Sequence, residues 1–330
     1  MSEVIERSTQ VLPTLEKCVV WHPGFTHAYE LVHKSIRTTE TRQAASSMML
    51  IGPTGTGKSK LCERIAQEFG CAEKLGDNNS QILTKGCLLV EVPPDATIKT
   101  LAIQMLSRMV VENRERLEKS SGTALTRMII QRLIVMQTQL IILDEFHRLL
   151  DQGQGPTKKK VCRWINQILN ETKIPVLLVG LPTVEKLIDE ISELSDRYPY
   201  RARLRYFDIG NDAAKAQFRK LIEAIENKVI DPAGFSERIA LSQAMPFNAI
   251  CLATAGNLRH LNMLLNDALT IALEREDNKF TLEDFAQAAD DLDFCRASNP
   301  FRLSGEALSA QMRKEYAKPM LSPVTSGVRK

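Results

Sequence analysis

At 330 residues, with 44% hydrophobic and 25% charged side chains, the chain has room for one large domain or two modest ones and the composition of an ordinary soluble globular protein. Its 43 Lys and Arg against 40 Asp and Glu give a formal charge of +3, which excludes histone-like basicity and leaves any nucleic-acid contact to a local patch. Seven scattered cysteines with no C-x-x-C pair exclude a recognisable disulfide framework or zinc site, and without a secretory leader or an apolar run of about 18 residues the expectation is a cytoplasmic protein with no membrane partner.

Residues 1–46 read as an N-terminal segment with a helix over His27–Ile36 that precedes the main core. Ser47–Ile51 is a short apolar run of buried-strand type. It feeds Gly52-Pro53-Thr54-Gly55-Thr56-Gly57-Lys58-Ser59, and the apolar spacing of Leu61, Ile65, Ala66 and Phe69 then predicts a helix. Strand, G-x-x-x-x-G-K-S loop and helix together are the context of a P-loop. Its glycines let backbone N–H groups curl around phosphate, Lys58 reaches the β and γ oxygens, and the Ser59 hydroxyl is a Mg²⁺ ligand. ATP and Mg²⁺ are therefore the expected cofactors.

Gly86–Val92 is a second buried-type strand, and Leu140–Asp144 a third that ends in Asp144-Glu145, about 85 residues beyond the P-loop. In combination with the P-loop, Asp144 is expected to hold Mg²⁺ through water and Glu145 to polarise the water that attacks the γ-phosphate. Ile174–Gly180 and Leu204–Ile209 are expected as the fourth and fifth strands. Helical patterns fall at Ile98–Val111, Ala124–Met136, Lys159–Leu169 and Val184–Ile191. Alternating strands and helices imply an α/β core over 47–211, a five-stranded parallel sheet with helices on both faces and nucleotide at the strands' carboxyl ends.

From 212 to 295 the pattern is all-helical, with helices expected over Ala213–Ile225, Phe235–Leu241, Ile250–Ala255, Leu258–Leu273 and Leu282–Leu292. Such a domain after a P-loop core is arranged as a nucleotide lid, from which Arg259, after the Gly256-Asn257 break, reaches the γ-phosphate. The last 35 residues carry a net +5 and three prolines, and 296–330 reads as a basic, loosely folded tail.

These motifs make the sequence resemble AAA+ ATPases and, more narrowly, the TnsC/TniB family of transposition regulators. The narrower marks are Val20–Phe25, Asp144-Glu145-Phe146-His147-Arg148-Leu149-Leu150, Asn166–Asn170 leading to Ile174–Gly180, Asp196-Arg197-Tyr198 and Gly256–Arg259, within a likeness running from about Thr14 to Leu292. The resemblance implies an ATP hydrolase that forms rings or helical filaments on double-stranded DNA. It also implies partners, namely TnsA/TnsB-like transposase subunits and a TniQ-like target selector that in CRISPR-associated transposons works with a guide-RNA effector. Lys58, Ser59, Asp144 and Glu145 match the family's ATP site. Arg197 matches its arginine finger, acting on a neighbouring subunit, with Arg201 and Arg203 as competitors, and the sensor position after the fourth strand falls near Thr183. Trp21 and Phe25 resemble a segment that packs near the adenine, with core burial as the alternative.

Backbone tracking of DNA needs Lys, Arg and hydroxyl donors on exposed loops. Lys99, Lys119, Thr123 and Arg127 are the expected contacts, and Lys158-Lys159-Lys160 is a further candidate. His147 reads either as a residue that orients the site or as a packed one. Two other readings stay open, an AAA+ helicase or clamp loader and a P-loop signalling module.

Overall fold

The computed structural model describes residues 2–75, 81–109, 114–150, 156–210, 212–295 and 298–316. The chain divides into two compact units, one of residues 23–205 and one of residues 1–22 with 206–330. The opening helix α1 (Ser2–Lys17) belongs to the latter, so residues 1–46 do not form one body: Val11 and Leu15 join that unit's core, whereas α2 (Pro23–Arg42) belongs to the former.

The larger unit runs α2, β1 (Met48–Ile51), α3 (Lys58–Phe69), β2 (Cys71–Leu75), β3 (Gln81–Lys85), β4 (Cys87–Glu91), α4 (Ile98–Met109), α5 (Arg114–Lys119), α6 (Gly122–Val135) and β5 (Leu140–Asp144). A 3₁₀ turn (Phe146–Leu149), α7 (Pro156–Thr172), β6 (Val176–Gly180), α8 (Thr183–Asp189), α9 (Ser192–Ser195) and β7 (Tyr200–Arg203) complete it. The five-stranded sheet has the order β4-β5-β6-β1-β7, all parallel, as expected of an α/β core. In space β6 separates β1 from β5, and β4 lies at the edge. β1, β5 and β6 are buried along their whole length, which is why they read as unbroken apolar runs rather than as alternation. Parallel register brings all five carboxyl ends to one edge of the sheet, with Ile51 level with Gly180 and Glu91 level with Asp144.

The fifth strand is Tyr200–Arg203, not Leu204–Ile209. This edge strand fully buries only Ala202, so it lacks an apolar run, while Phe207 and Ile209 of the expected strand are core residues of the other unit. The antiparallel β2–β3 hairpin between α3 and β4 has no counterpart among the expected elements.

The second unit is helical: α10 (Asp212–Ile225) running into a π turn (Glu226–Ile230), α11 (Ala244–Thr254), α12 (Leu258–Glu274), α13 (Leu282–Asp291) and α14 (Gly305–Tyr316). The helix expected over Phe235–Leu241 is instead extended, with β8 (Glu237–Arg238) pairing β9 (Lys279–Phe280) and Ile239 N donating to Phe280 O. α11 starts six residues before Ile250 because Pro246 sits in its first turn, where its missing N–H costs no intrahelical bond. The core is aromatic, built on Phe218, Phe247, Phe280 and Phe285.

Residues 298–316 are not a loose arm. Asn299 caps a 3₁₀ turn (Pro300–Arg302), the Phe301 ring stacks on Phe285 at 5.4 Å, Arg302 pairs with Asp290 at 2.7 Å, and α14 buries Leu308 and Met312. Residues 296–297 and 317–330 of the expected tail lie outside the described residues. Among the described residues no helix is long and apolar enough to cross a membrane.

Candidate nucleotide site

The buried strand β1 delivers the chain to the sheet edge at Gly52, whose N–H donates to Gly180 O at 3.1 Å while Leu204 N donates to Ile51 O at 2.7 Å. Gly52 is thus wedged between two neighbouring strand ends. A Cβ there would come within 2.6 Å of Leu204 O and 3.0 Å of Thr56 Oγ1. Gly55 and Gly57 hold φ of 83° and 82°, the left-handed region that glycine enters without steric cost, and these turns fold the loop back on itself. Gly57 caps α3 without a side chain, so no side chain covers the first-turn N–H groups of the helix, which is the arrangement that receives an anion.

Lys58 is buried, and its Nζ donates to Gly52 O and Pro53 O at 2.8 Å each. The Thr56 hydroxyl donates to Pro53 O at 2.9 Å and braces the same loop from inside, while Thr54 and Ser59 are exposed. A buried ammonium held by loop carbonyls, left-handed glycines and an uncapped helix end fit a polyphosphate: Gly52, Pro53, Thr54, Gly55, Thr56 and Gly57 would wrap it and Lys58 would swing from the carbonyls to its oxygens.

Two strands away, β5 ends in Asp144, which is buried and whose Oδ1 accepts the N–H of Glu145 at 2.8 Å. Burial and the proximity of the Asp144 carboxylate raise the Cys62 thiol well above its ordinary range, so the inner face of α3 lies close to the end of β5. The Ser59 hydroxyl and Asp144 carboxylate are hard oxygen donors of the kind Mg²⁺ takes alongside phosphate and water. Among the described residues no group of three or more His, Cys, Asp or Glu could hold a metal ion. Glu145, with φ 57°, turns the chain sharply after the strand and meets the imidazole of His147, Nε2 to Oε2 3.3 Å. Arg148 bonds Glu91 at 2.7 Å and Val92 O at 2.9 Å, tying the end of β4 to this turn, a link that β4's sequence does not signal.

Of the three finger candidates, Arg201 and Arg203 lie on β7 and pair with α8 carboxylates, Arg201 with Glu185 and Asp189 and Arg203 with Glu185. Hydrogen bonding to Arg201 holds the Asp189 carboxyl below its usual range. Arg197, between α9 and β7, is half-buried and its side chain makes no ion pair among the described residues. Thr183 is exposed at the start of α8. Phe25 is buried in α2, whereas Trp21 is exposed in the other unit. In that unit Arg259 is exposed in the first turn of α12, which Asn257 caps by accepting the N–H of Arg259 at 2.9 Å.

The DNA candidates come together. Lys85, just before β4, contacts both Arg108 O of α4 (Nζ, 2.6 Å) and Met136 O after α6 (N–H, 2.9 Å), so α4 and α6 end side by side. The helices pack along each other and are 12 and 14 residues long, so their N-terminal ends, with Lys99 and Thr123 in the first turns and Arg127 in the second turn of α6, share the opposite end, toward the strands' carboxyl edge. Lys119 ends α5, two residues before the α6 cap Ser121, and all four side chains are exposed. Lys158 is tied to Leu150 O at 2.7 Å, leaving Lys159 and Lys160 as the exposed members of that run.

The profile of the family described as bacterial TniB protein matches residues 19–206, more than half of the chain and the whole of the larger unit. The chain belongs to the TniB family. Two solved structures share the fold of this TniB protein. The Aeropyrum pernix ORC1 protein in complex with DNA has TM-score 0.58 and 16% identity, covering 83% of this chain and 66% of its own. The Aeropyrum pernix ORC2 protein, in ADPNP and ADP complexes, has TM-score 0.56 and 14% identity, covering 80% of this chain and 66% of its own. The TniB chain thus spans just under two thirds of either. No curated protein matches the sequence. The five-stranded P-loop sheet and the helical unit thus give this TniB protein the fold that these two structures share.

Proposed function

We propose that the protein is an ATP- and Mg²⁺-dependent, DNA-bound oligomeric regulator of transposition that links target-site selection to transposase recruitment. The observation that carries the reading is that Arg197, tied to Ser47 at the amino end of β1 and so away from its own chain's phosphate cradle at the carboxyl end, has no carboxylate partner among the described residues. Arg197 would complete the site of a neighbouring subunit, so ATP bridges two subunits and hydrolysis removes the bridge. Lys58 and Ser59 would hold phosphate and Mg²⁺, Asp144 would hold Mg²⁺, and Glu145 would polarise water. Membership of the TniB family supports transposase and target-selector partners, in some systems with a CRISPR effector. The shared end of α4 and α6, with Lys99, Lys119, Thr123 and Arg127, supports sequence-independent contact with duplex backbone, and DNA is also what the ORC1 protein is bound to.

The test is assembly, by electron microscopy and sedimentation, with duplex DNA and a non-hydrolysable ATP analogue. Rings or filaments that need both ligands and vanish in Lys58→Ala are expected, with Glu145→Gln trapping the assembled form in ATP. A chain that binds nucleotide and ignores DNA would return the reading to a signalling ATPase, and one that assembles only on a replication partner to a loader.

A further inference from the structure

Glu145 stands one residue beyond β5, with its side chain about one third exposed (31%) and, among the described residues, with the His147 ring as its side chain's partner. Such a carboxylate has several rotamers of similar energy, and a general base displaced by an ångström loses much of its effect. Three features fix this one. The left-handed backbone at Glu145 sends Phe146 into the core and returns His147 to the Glu145 side chain. Gly180, at the end of β6, makes room for the ring: a Cβ there would approach His147 N to 3.2 Å, His147 Nδ1 to 3.5 Å and Val184 Cγ2 to 2.9 Å. His147 Nδ1 is buried without a hydrogen-bond partner. An N–H there would be a buried donor with nothing to receive it, and a bare lone pair is the lesser loss, so the proton is assigned to Nε2, which lies 3.3 Å from Glu145 Oε2.

We infer that His147 is a positioning residue, whose Nε2–H orients the Glu145 carboxylate for attack by water on the γ-phosphate. This rests on the reading of Glu145 as the hydrolytic base. Steady-state ATP hydrolysis by the full chain with duplex DNA, together with nucleotide affinity, separates the two. Glu145→Gln should abolish turnover; hydrolysis at the wild-type rate by Glu145→Gln, or none by the wild type, overturns the underlying reading itself.

With Glu145 established, His147→Leu should lower kcat about tenfold with KM and nucleotide affinity within about twofold. His147→Gln carries an amide N–H to the place of Nε2 and should stay within about threefold of wild type, whereas His147→Asn carries it only to the place of Nδ1 and should fall with the Leu variant. Should the Leu variant fail to fold, the Gln and Asn pair decides. Equal rates in Gln and Asn, or a kcat that is unchanged or raised on losing the imidazole, overturns the inference.

Discussion

The backbone N–H of Ser47 donates to the carbonyl of Arg197 at 2.7 Å, so the residue entering β1 is pinned to the turn that carries the one finger candidate not engaged by carboxylates. Arg197→Ala should leave nucleotide affinity within about twofold and lower DNA-stimulated phosphate release about a thousandfold or more, the scale of a lost arginine finger. Mixing it with Lys58→Ala should restore part of the activity, because each mutant lacks what the other supplies at a shared site. Arg201→Ala should instead cost stability, about 1 kcal/mol for a largely surface ion pair, with turnover per folded molecule unchanged. Loss of turnover in Arg201→Ala with wild-type Arg197→Ala would reverse the assignment.

Gly52→Ala tests the cradle without removing a functional group. The added Cβ would sit 2.6 Å from Leu204 O, and that backbone is not free to retreat because Leu204 N is bonded to Ile51 O. The loop must move instead, displacing both carbonyls that hold Lys58. Nucleotide affinity, read by fluorescence titration, should fall at least about tenfold. Affinity equal to wild type would show that the loop absorbs the methyl and that its present path is not required for binding.

The parts of this site that were legible in the sequence are those whose chemistry is local. A P-loop announces itself because glycine, lysine and serine at fixed spacing are needed by one short turn, and β5 because a buried parallel strand must be apolar until it emerges at Asp144. What was not legible depends on partners distant in sequence. The Tyr200–Arg203 strand is polar because its arginines face Glu185 and Asp189, whereas the more strand-like Leu204–Ile209 spends Phe207 and Ile209 on the other unit's core. The basic composition after residue 296 hides a folded segment, since Phe301, Leu308 and Met312 suffice to dock it. The His147–Glu145 contact requires a left-handed residue and a glycine 33 positions further on, neither of which a local pattern encodes.

The helical unit should lose stability in mild acid through His22. Burial lowers the pKa of this imidazole to about 4, its ring lying edge-on to Phe207 at 5.1 Å. The unfolded chain takes up the proton near 6.5, the folded unit only near 4, so the unfolded state binds more protons between these values. The contribution is full above pH 6.5 and is lost progressively as pH falls towards 4. Unfolding midpoints measured from pH 7.5 to 4.5 should fall less steeply in His22→Phe than in the wild type; parallel curves would show that His22 is not the group titrating.

Adjacent residues at the break between α11 and α12 should respond to substitution with opposite signs. Gly256 has φ 72°, and a Cβ on it would lie 2.1 Å from Phe207 O, while its own carbonyl accepts the Phe207 N–H at 3.0 Å. Gly256→Ala therefore forces apart two backbones that are bonded to each other and strains a left-handed residue as well, and should cost about 3 kcal/mol or more. Ala255, which ends α11, is also left-handed, with φ 47°, but is exposed. Glycine there relieves the conformation and meets no neighbour, so Ala255→Gly should be neutral or gain up to about 1 kcal/mol, the loss of chain entropy offsetting part of the relief. Urea unfolding of the two variants decides it. Equal destabilisation by both would mean that the break tolerates no change of any kind, and that steric approach to Phe207 is not what reserves position 256 for glycine.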